Sequence, residues 1–233
     1  MLRLPLIIGL IGSMCAFLKA EFPNDPKPCN YGDSECDNSI NMLSIDPLIT
    51  DKIRINQGAE NPVNIDITFS NSKVYGLSTS VAHDIKGFGK DLKTKHEIFF
   101  KVPGSISLIG DYIVKGKVLI LPLQGEGKSN MTLVEPECRI SFIGGSVEKD
   151  GNIYMKPEKF HMHVNIKRSI YNFENLFNGD KALGDNMNKF LNENWKDIFD
   201  ETKDSISKEF GVVVKHVIEQ VFAKYPYAKY FNA

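Results

Sequence analysis

The C-terminal third of the chain carries an apolar pattern with a helical period. From Asp185 to Tyr225, apolar residues recur three and four positions apart, and charged and amide residues fill the opposite face. The pattern predicts one amphipathic helix, capped by Asp185 and stopped by Pro226. About 40 residues at about 1.5 Å each give a rod on the order of 60 Å long, longer than a compact domain of this size is wide. We therefore expect either an elongated fold or a helix that bends at Gly211.

The middle of the chain shows the period of two that is typical of half-buried strands. The clearest examples run from Val63 to Phe69 and from Phe160 to Ile166, and Asp150-Gly151 gives the strongest hairpin signal. Glycine and proline divide the intervening sequence into short segments, so roughly eight to ten strands are expected in an antiparallel meander.

The predicted fold class is α+β. A sheet and a helix that each have one apolar face can cover both faces if a highly curved antiparallel sheet wraps around the long C-terminal helix. A long rod enclosed in this way can leave an internal hydrophobic tunnel, which suits a long apolar ligand. A solid core is the alternative interpretation of the same apolar stripe.

The N-terminus indicates export. Residues 1–20 contain Arg3, an apolar run from Leu4 to Leu18, and Ala20, which is the order of a secretory signal peptide. A retained membrane anchor is the alternative, but the run is short for a bilayer span. Residues 21–233 contain no convincing linker and are predicted to form a single domain. With 28 basic and 29 acidic residues, the charge balance indicates neither nucleic acid nor an anionic surface as a partner.

Secretion changes the interpretation of the cysteines. Cys29 and Cys36 lie close enough to form a disulfide that closes a short loop, whereas Cys138 is expected to be a buried free thiol. The N-glycosylation sequon that begins at Asn130 predicts a surface position.

Candidate chemistry is sparse. The nearest approach to a nucleophile elbow, Gly144–Glu148, lacks the final glycine. His161 and His163 point to the same face of a predicted strand and could hold a metal ion, but that face also carries Lys167 and is expected to be exposed. We therefore predict no enzymatic activity, no metal site and no cofactor.

Several motifs resemble those of the insect takeout and juvenile hormone-binding proteins. They are the pair Cys29 and Cys36, Ile45-Asp46-Pro47-Leu48, Val74-Tyr75-Gly76-Leu77-Ser78, Gly110-Asp111-Tyr112 followed by Gly116 and Leu121-Pro122, and the run from Asn172 to Trp195. The last is the most specific, and the similarity extends from Cys29 to the C-terminus. The resemblance implies a secreted, non-catalytic carrier with a tunnel for a terpenoid hormone, a fatty acid or another lipid.

One departure from the family pattern concerns segment 37–45. Members typically have a longer helical stretch between the second cysteine of the clip and the Asp46-Pro47 motif. The helix that would cover one end of the tunnel is shortened or missing by this comparison. Either this end of the tunnel stays open, or the short segment reflects a splice variant or a defective gene model.

The leading hypothesis is a monomeric extracellular carrier of a small hydrophobic ligand, with no nucleic-acid partner and no stable membrane insertion. The alternative is a secreted interaction or signalling module with a solid core and no ligand. The candidate ligand-binding residues are Ile65, Ile67, Phe69, Leu77, Phe100, Leu108, Tyr112, Leu119, Phe142, Phe160, Met162, Phe177, Trp195 and Phe199. Among them, Tyr112 could donate a hydrogen bond to a ligand oxygen, and Trp195 offers a fluorescent reporter.

Overall fold

The computed structural model describes residues 46–58, 62–89 and 91–230. The predicted signal peptide, the Cys29 and Cys36 pair and segment 37–45 lie outside these residues. Within them, the chain forms β1 (Leu48–Asn56), β2 (Val63–Tyr75), β3 (Val81–Lys86), β4 (Lys95–Lys101), β5 (Ser105–Val118), β6 (Leu121–Val134), β7 (Glu137–Lys149), β8 (Asn152–Asn165), β9 (Arg168–Phe173), α1 (Lys181–Glu193) and α2 (Trp195–Lys224). Short 3-10 turns at Phe177–Gly179 and Tyr227–Tyr230 flank the helices.

The strands form two antiparallel sheets, where the sequence predicted one. The five-stranded sheet has the order β1-β2-β5-β6-β9, and the four-stranded sheet has the order β3-β4-β7-β8. Four hairpins, β1–β2, β3–β4, β5–β6 and β7–β8, alternate between the two sheets, and the chain crosses to the other sheet after each of them. The predicted α+β class, in which a highly curved antiparallel sheet wraps a long C-terminal helix, is confirmed in that the helical region packs on extensive antiparallel sheet.

Proline and glycine explain why the sheet divides. The crossings after β4 and β6 contain Pro103-Gly104 and Pro136, and a proline has no N–H with which to continue a ladder of hydrogen bonds. The two crossings instead bond to each other, because the Glu135 amide donates to the Gly104 carbonyl at 2.7 Å and the Val102 amide to the Pro136 carbonyl at 2.9 Å. Strand pairing therefore passes from one sheet to the other at these corners.

The helical region is interrupted at Asn194 and is not one continuous rod. The side-chain amide of Asn194 donates to the Phe190 carbonyl at 2.8 Å, a local bond of the kind that competes with helix continuation. The predicted start at Asp185 is also wrong: the helix begins at Lys181, and Asp180 caps it by accepting from the Leu183 amide at 3.0 Å. The end near Tyr225 agrees with the prediction. Among the described residues, no helix is long and apolar enough to cross a membrane.

Gly211 does not interrupt α2, and a bend at this position stays a prediction. It lies inside the 30-residue helix, where α2 packs against β8. A Cβ atom added at Gly211 would lie only 3.3 Å from the Cβ atom of Met162. The missing side chain therefore permits close approach of the helix to the strand.

Asp46 joins two of the motifs that carry the family resemblance. Its carboxylate accepts hydrogen bonds from the amides of Gly76 and Ser78, each at 3.1 Å, and from the Ser78 hydroxyl. Gly76 has a φ of +94°, and a Cβ atom there would lie 2.1 Å from the Ser105 carbonyl oxygen, so only glycine fits. The two motifs therefore fix the start of β1 against the turn after β2.

Candidate ligand-binding site

An apolar cavity of about 40 Å³ lies between the five-stranded sheet and the two helices. All five strands of that sheet, together with α1 and α2, contribute to its wall. The lining residues are Ile55, Ile65, Ile67, Phe69, Val114, Val118, Leu123, Met131, Tyr171, Phe173, Leu191, Ile198, Thr202 and Ile206.

Simple periodicities bring these side chains together. On β2, the period of two points Ile65, Ile67 and Phe69 to the same side of the sheet. On α2, Ile198 and Ile206 lie two helical turns apart and face those strand residues. The cavity is therefore the meeting point of the apolar face of the sheet and the apolar stripe of the helix.

Two hydroxyl groups reach this apolar wall. The Thr202 hydroxyl donates to the Ile198 carbonyl of its own helix at 2.7 Å, so its proton is used. The Tyr171 hydroxyl oxygen accepts from the Ser169 hydroxyl at 2.9 Å, and its own proton meets no acceptor among the described residues. Burial raises the pKa of Tyr171 to about 12, so this phenol stays protonated and keeps a proton to donate.

Helix α1 is attached to the sheet by two asparagine side chains. Because β9 is the last described strand of its sheet, the outward amides and carbonyls of Tyr171 and Phe173 have no neighbouring strand within the described part of the chain. Asn192 accepts from the Tyr171 amide at 2.9 Å and donates to its carbonyl at 2.7 Å. Asn188 makes the same pair of bonds to Phe173, at 2.9 and 2.8 Å. The side-chain amides thus take the place of a further strand.

Three of the predicted ligand-binding residues line the cavity, namely Ile65, Ile67 and Phe69. Tyr112 is fully buried, and its ring packs on Phe173 with the centroids 4.8 Å apart. Its hydroxyl donates to the Glu174 carbonyl at 2.7 Å, and burial raises its pKa to about 12. The Tyr112 hydroxyl, which was expected to donate to a ligand, is therefore bonded to the backbone. The Tyr171 hydroxyl keeps a proton that no described residue accepts.

The other predicted residues lie outside this cavity. Four of them belong to the four-stranded sheet: Phe100, Phe142, Phe160 and Met162. Six are distributed over the turns, β5 and α2: Leu77, Leu108, Leu119, Phe177, Trp195 and Phe199. Trp195 is half-buried at the first position of α2, one turn before Ile198, so it remains close enough to the cavity to report on it.

Most of the lining was not among the candidates. Ile55 lies on β1, and Tyr171 and Phe173 lie on β9, and no strand was predicted over either segment. The alternating apolar residues of each segment are the signal that could have identified them. The pairing of β9 with β6 then determines which of its faces is buried.

The remaining candidate sites have definite positions. His161 and His163 are exposed, as expected, and no group of three or more potential metal ligands occurs within the described ranges. Cys138 is a buried free thiol, which confirms the prediction, and burial raises its pKa to about 12. Asn130 is exposed on β6, so its glycosylation stays a prediction.

Comparisons with known proteins agree on one family. The family profile described as haemolymph juvenile hormone binding protein (JHBP) matches residues 37–232. The circadian clock-controlled protein daywake of Drosophila melanogaster is 24% identical over 246 aligned positions, which cover 97% of this chain and 95% of that protein. Daywake of Drosophila yakuba is 25% identical over 197 positions, covering 82% and 75%. The crystal structure of Epiphyas postvittana Takeout 1 matches with a TM-score of 0.69 and 24% identity, covering 86% of this chain and 97% of that one.

Proposed function

The chain belongs to the haemolymph juvenile hormone binding protein family, and on that premise we propose that it is a secreted, monomeric carrier of a small hydrophobic molecule. The ligand class is a terpenoid, a fatty acid or another lipid, held between the five-stranded sheet and the two helices. The observation that carries the proposal is the composition of the cavity wall, which is almost entirely apolar and includes Tyr171, whose hydroxyl proton meets no acceptor among the described residues. Apolar surface that leaves water on binding contributes about 25 cal/mol per Å².

Binding requires the cavity to expand. Sites for small molecules typically enclose about 300 to 1,000 Å³, whereas this cavity encloses about 40 Å³. The interruption at Asn194 separates α1 from α2, and α1 is held to the sheet edge by Asn188 and Asn192. We therefore expect ligand to displace α1 from β9 while α2 keeps its contact with β8.

The orientation of the ligand follows from Tyr171. A ligand with one oxygen at an end, such as an ester, an epoxide or an acid, can accept a hydrogen bond from the Tyr171 hydroxyl. The hydrogen bond from Ser169 to the Tyr171 oxygen is not disturbed. A hydrogen bond between neutral groups contributes about 1 kcal/mol. Tyr171→Phe should therefore weaken oxygenated ligands about fivefold and leave a hydrocarbon of the same length unaffected.

The test uses neighbouring residues on β5 that face opposite sides of the sheet. Val114 lines the cavity and is 2% exposed, whereas Ile113 is 59% exposed. The purified protein is titrated with terpenoid esters and fatty acids of several lengths, with Trp195 fluorescence and the thermal midpoint as readouts. Binding should raise the midpoint, by the equivalent of about 2.7 kcal/mol at 100 times Kd.

Val114→Phe should abolish this response, and Ile113→Phe should preserve it. Circular dichroism of both unliganded variants checks that each is folded. If no ligand changes the fluorescence or the midpoint of the parent protein, the carrier function is wrong.

A secreted interaction module with a solid core is the second candidate. The small size of the cavity favours it, because a core that stays closed has no room for a lipid. The two candidates differ in one measurable property, since only the carrier releases a hydrophobic molecule on organic extraction.

A further inference from the structure

A second recess lies on the outside of the molecule, between α2 and β8. It encloses about 340 Å³, which falls within the range of small-molecule sites and is much larger than the internal cavity. We call it the α2–β8 groove. Its lining residues are Phe160, His161, Met162, Asp204, Ser207, Lys208, Gly211, Val212 and Lys215.

The groove exists because β8 ends its sheet. Phe160, His161 and Met162 are consecutive, and their side chains alternate between the two faces of the sheet, yet all three line the groove. The groove therefore runs along the edge of the strand, which among the described strands pairs only with β7. Gly211 contributes no side chain opposite Met162, so the helix lies close to the strand at the bottom of the groove.

The charged rim of the groove is mostly basic. Lys208 and Lys215 lie two helical turns apart on the same face of α2. The Lys208 ammonium forms no ion pair with any described residue, and Lys215 lies 3.6 Å from the Glu219 carboxylate. Asp204 is the acidic residue of the lining. The rim thus offers a cation that lacks a carboxylate partner.

A buried hydroxyl group adds an independent observation. Ser207 is 4% exposed, and its hydroxyl has no hydrogen-bond partner among the described residues. An unpaired buried hydroxyl costs free energy, and Ser207 belongs to the groove lining. Because the hydroxyl oxygen itself is buried, a polar ligand group that satisfies it must displace the side chains that cover it.

We propose that the α2–β8 groove binds a long-chain carboxylate. The carboxylate pairs with Lys208 and Lys215, and the chain lies against Phe160, Met162 and Val212. Val212 is 62% exposed, so a bound chain removes apolar surface from water. This site lies apart from the internal cavity and does not depend on the proposed carrier function.

Two methionines distinguish the two sites. Met162 lines the groove, whereas Met131 lines the internal cavity. Protein with 13C-labelled methionine methyl groups is titrated with dodecanoate below its micelle concentration and, separately, with dodecanol, which has the same chain and no charge. Dodecanoate should shift the Met162 methyl resonance and bind more weakly as the salt concentration rises.

Charge reversal tests the role of the lysines. The double variant Lys208→Glu, Lys215→Glu should lower the affinity for dodecanoate, followed at Met162, by about tenfold without changing that for dodecanol. The control Lys149→Glu, Lys156→Glu makes the same change in net charge on exposed residues of the β7–β8 hairpin and should have no effect.

The outcomes separate the two proposals. The groove site is wrong if dodecanoate does not shift the Met162 methyl resonance. It is also wrong if the Lys208→Glu, Lys215→Glu variant binds dodecanoate with the affinity of the parent protein. A shift of Met131 alone supports the internal carrier and overturns the groove. A shift of Met162, with Met131 unaffected by every ligand, supports the groove and contradicts the carrier.

Discussion

The attachment of α1 to β9 gives the sharpest prediction about stability and dynamics. Asn188→Ala and Asn192→Ala each remove a pair of hydrogen bonds to a single β9 residue. At a net contribution of about 1 kcal/mol per bond, each substitution should lower the free energy of unfolding by about 2 kcal/mol. Because the two side chains act on one strand edge, the double variant should lose more than either single variant, without strict additivity.

Hydrogen exchange locates the effect. The amides of Tyr171 and Phe173 face α1, whereas those of Ile170 and Asn172 face β6 by the alternation of the strand. A loss of about 2 kcal/mol corresponds to about thirtyfold faster exchange. We expect this acceleration at Phe173 in the Asn188→Ala variant, and a smaller change at Ile170 and Asn172.

Asn186→Ala is the matched control, since Asn186 lies on the same helix and is exposed. Denaturant unfolding and residue-resolved exchange are measured on all variants. Unchanged exchange at Tyr171 and Phe173 in the double variant, with an unchanged free energy of unfolding, would refute the view that these amides attach α1.

Two further predictions concern buried titratable groups. Burial lowers the pKa of His96, which is held neutral with its Nε2 atom 2.8 Å from the Leu92 carbonyl. Below about pH 6.5 the unfolded chain gains a proton at His96, whereas the folded chain does not. The contribution of neutral His96 to the free energy of unfolding is therefore fully present above that pH. It decreases as the pH falls, by up to about 1.4 kcal/mol per pH unit. Denaturant titrations between pH 7 and pH 5 measure how the free energy of unfolding changes with pH. We expect a smaller change in His96→Gln than in the parent protein, and the same change as the parent in the control His163→Gln. Cys138, whose pKa burial raises to about 12, should resist thiol reagents in the folded protein and react in denaturant; rapid labelling without denaturant would contradict its burial.

Local patterns predicted those parts of the fold that depend on one segment. The alternation of Ile65, Ile67 and Phe69 with polar residues predicted that the three side chains share the inward face of the sheet. The helical apolar stripe predicted the buried side of α2. The interruption at Asn194 was missed because the apolar stripe continues across it, so that both helices face the same sheet. It coincides with a side-chain hydrogen bond from Asn194 to the Phe190 carbonyl, a feature that hydrophobic periodicity does not detect.

The features that depend on two distant segments were not predictable in the same way. The Tyr112 hydroxyl bonds to the Glu174 carbonyl, 62 positions away, so its use by the backbone follows only from the tertiary fold. Likewise, Asn188 and Asn192 acquire their role because β9 is an edge strand. Both asparagines lie within the run from Asn172 to Trp195 that resembles the family most specifically.

Native mass spectrometry of the protein secreted from insect cells, followed by organic extraction, tests the central claim most directly. The carrier account predicts a complex heavier than the polypeptide and its glycan by one extractable hydrophobic molecule, and predicts that Val114→Phe lacks that molecule while Ile113→Phe retains it. A parent protein with only the mass of polypeptide and glycan, which also takes up no terpenoid or fatty acid when these are added, would contradict it.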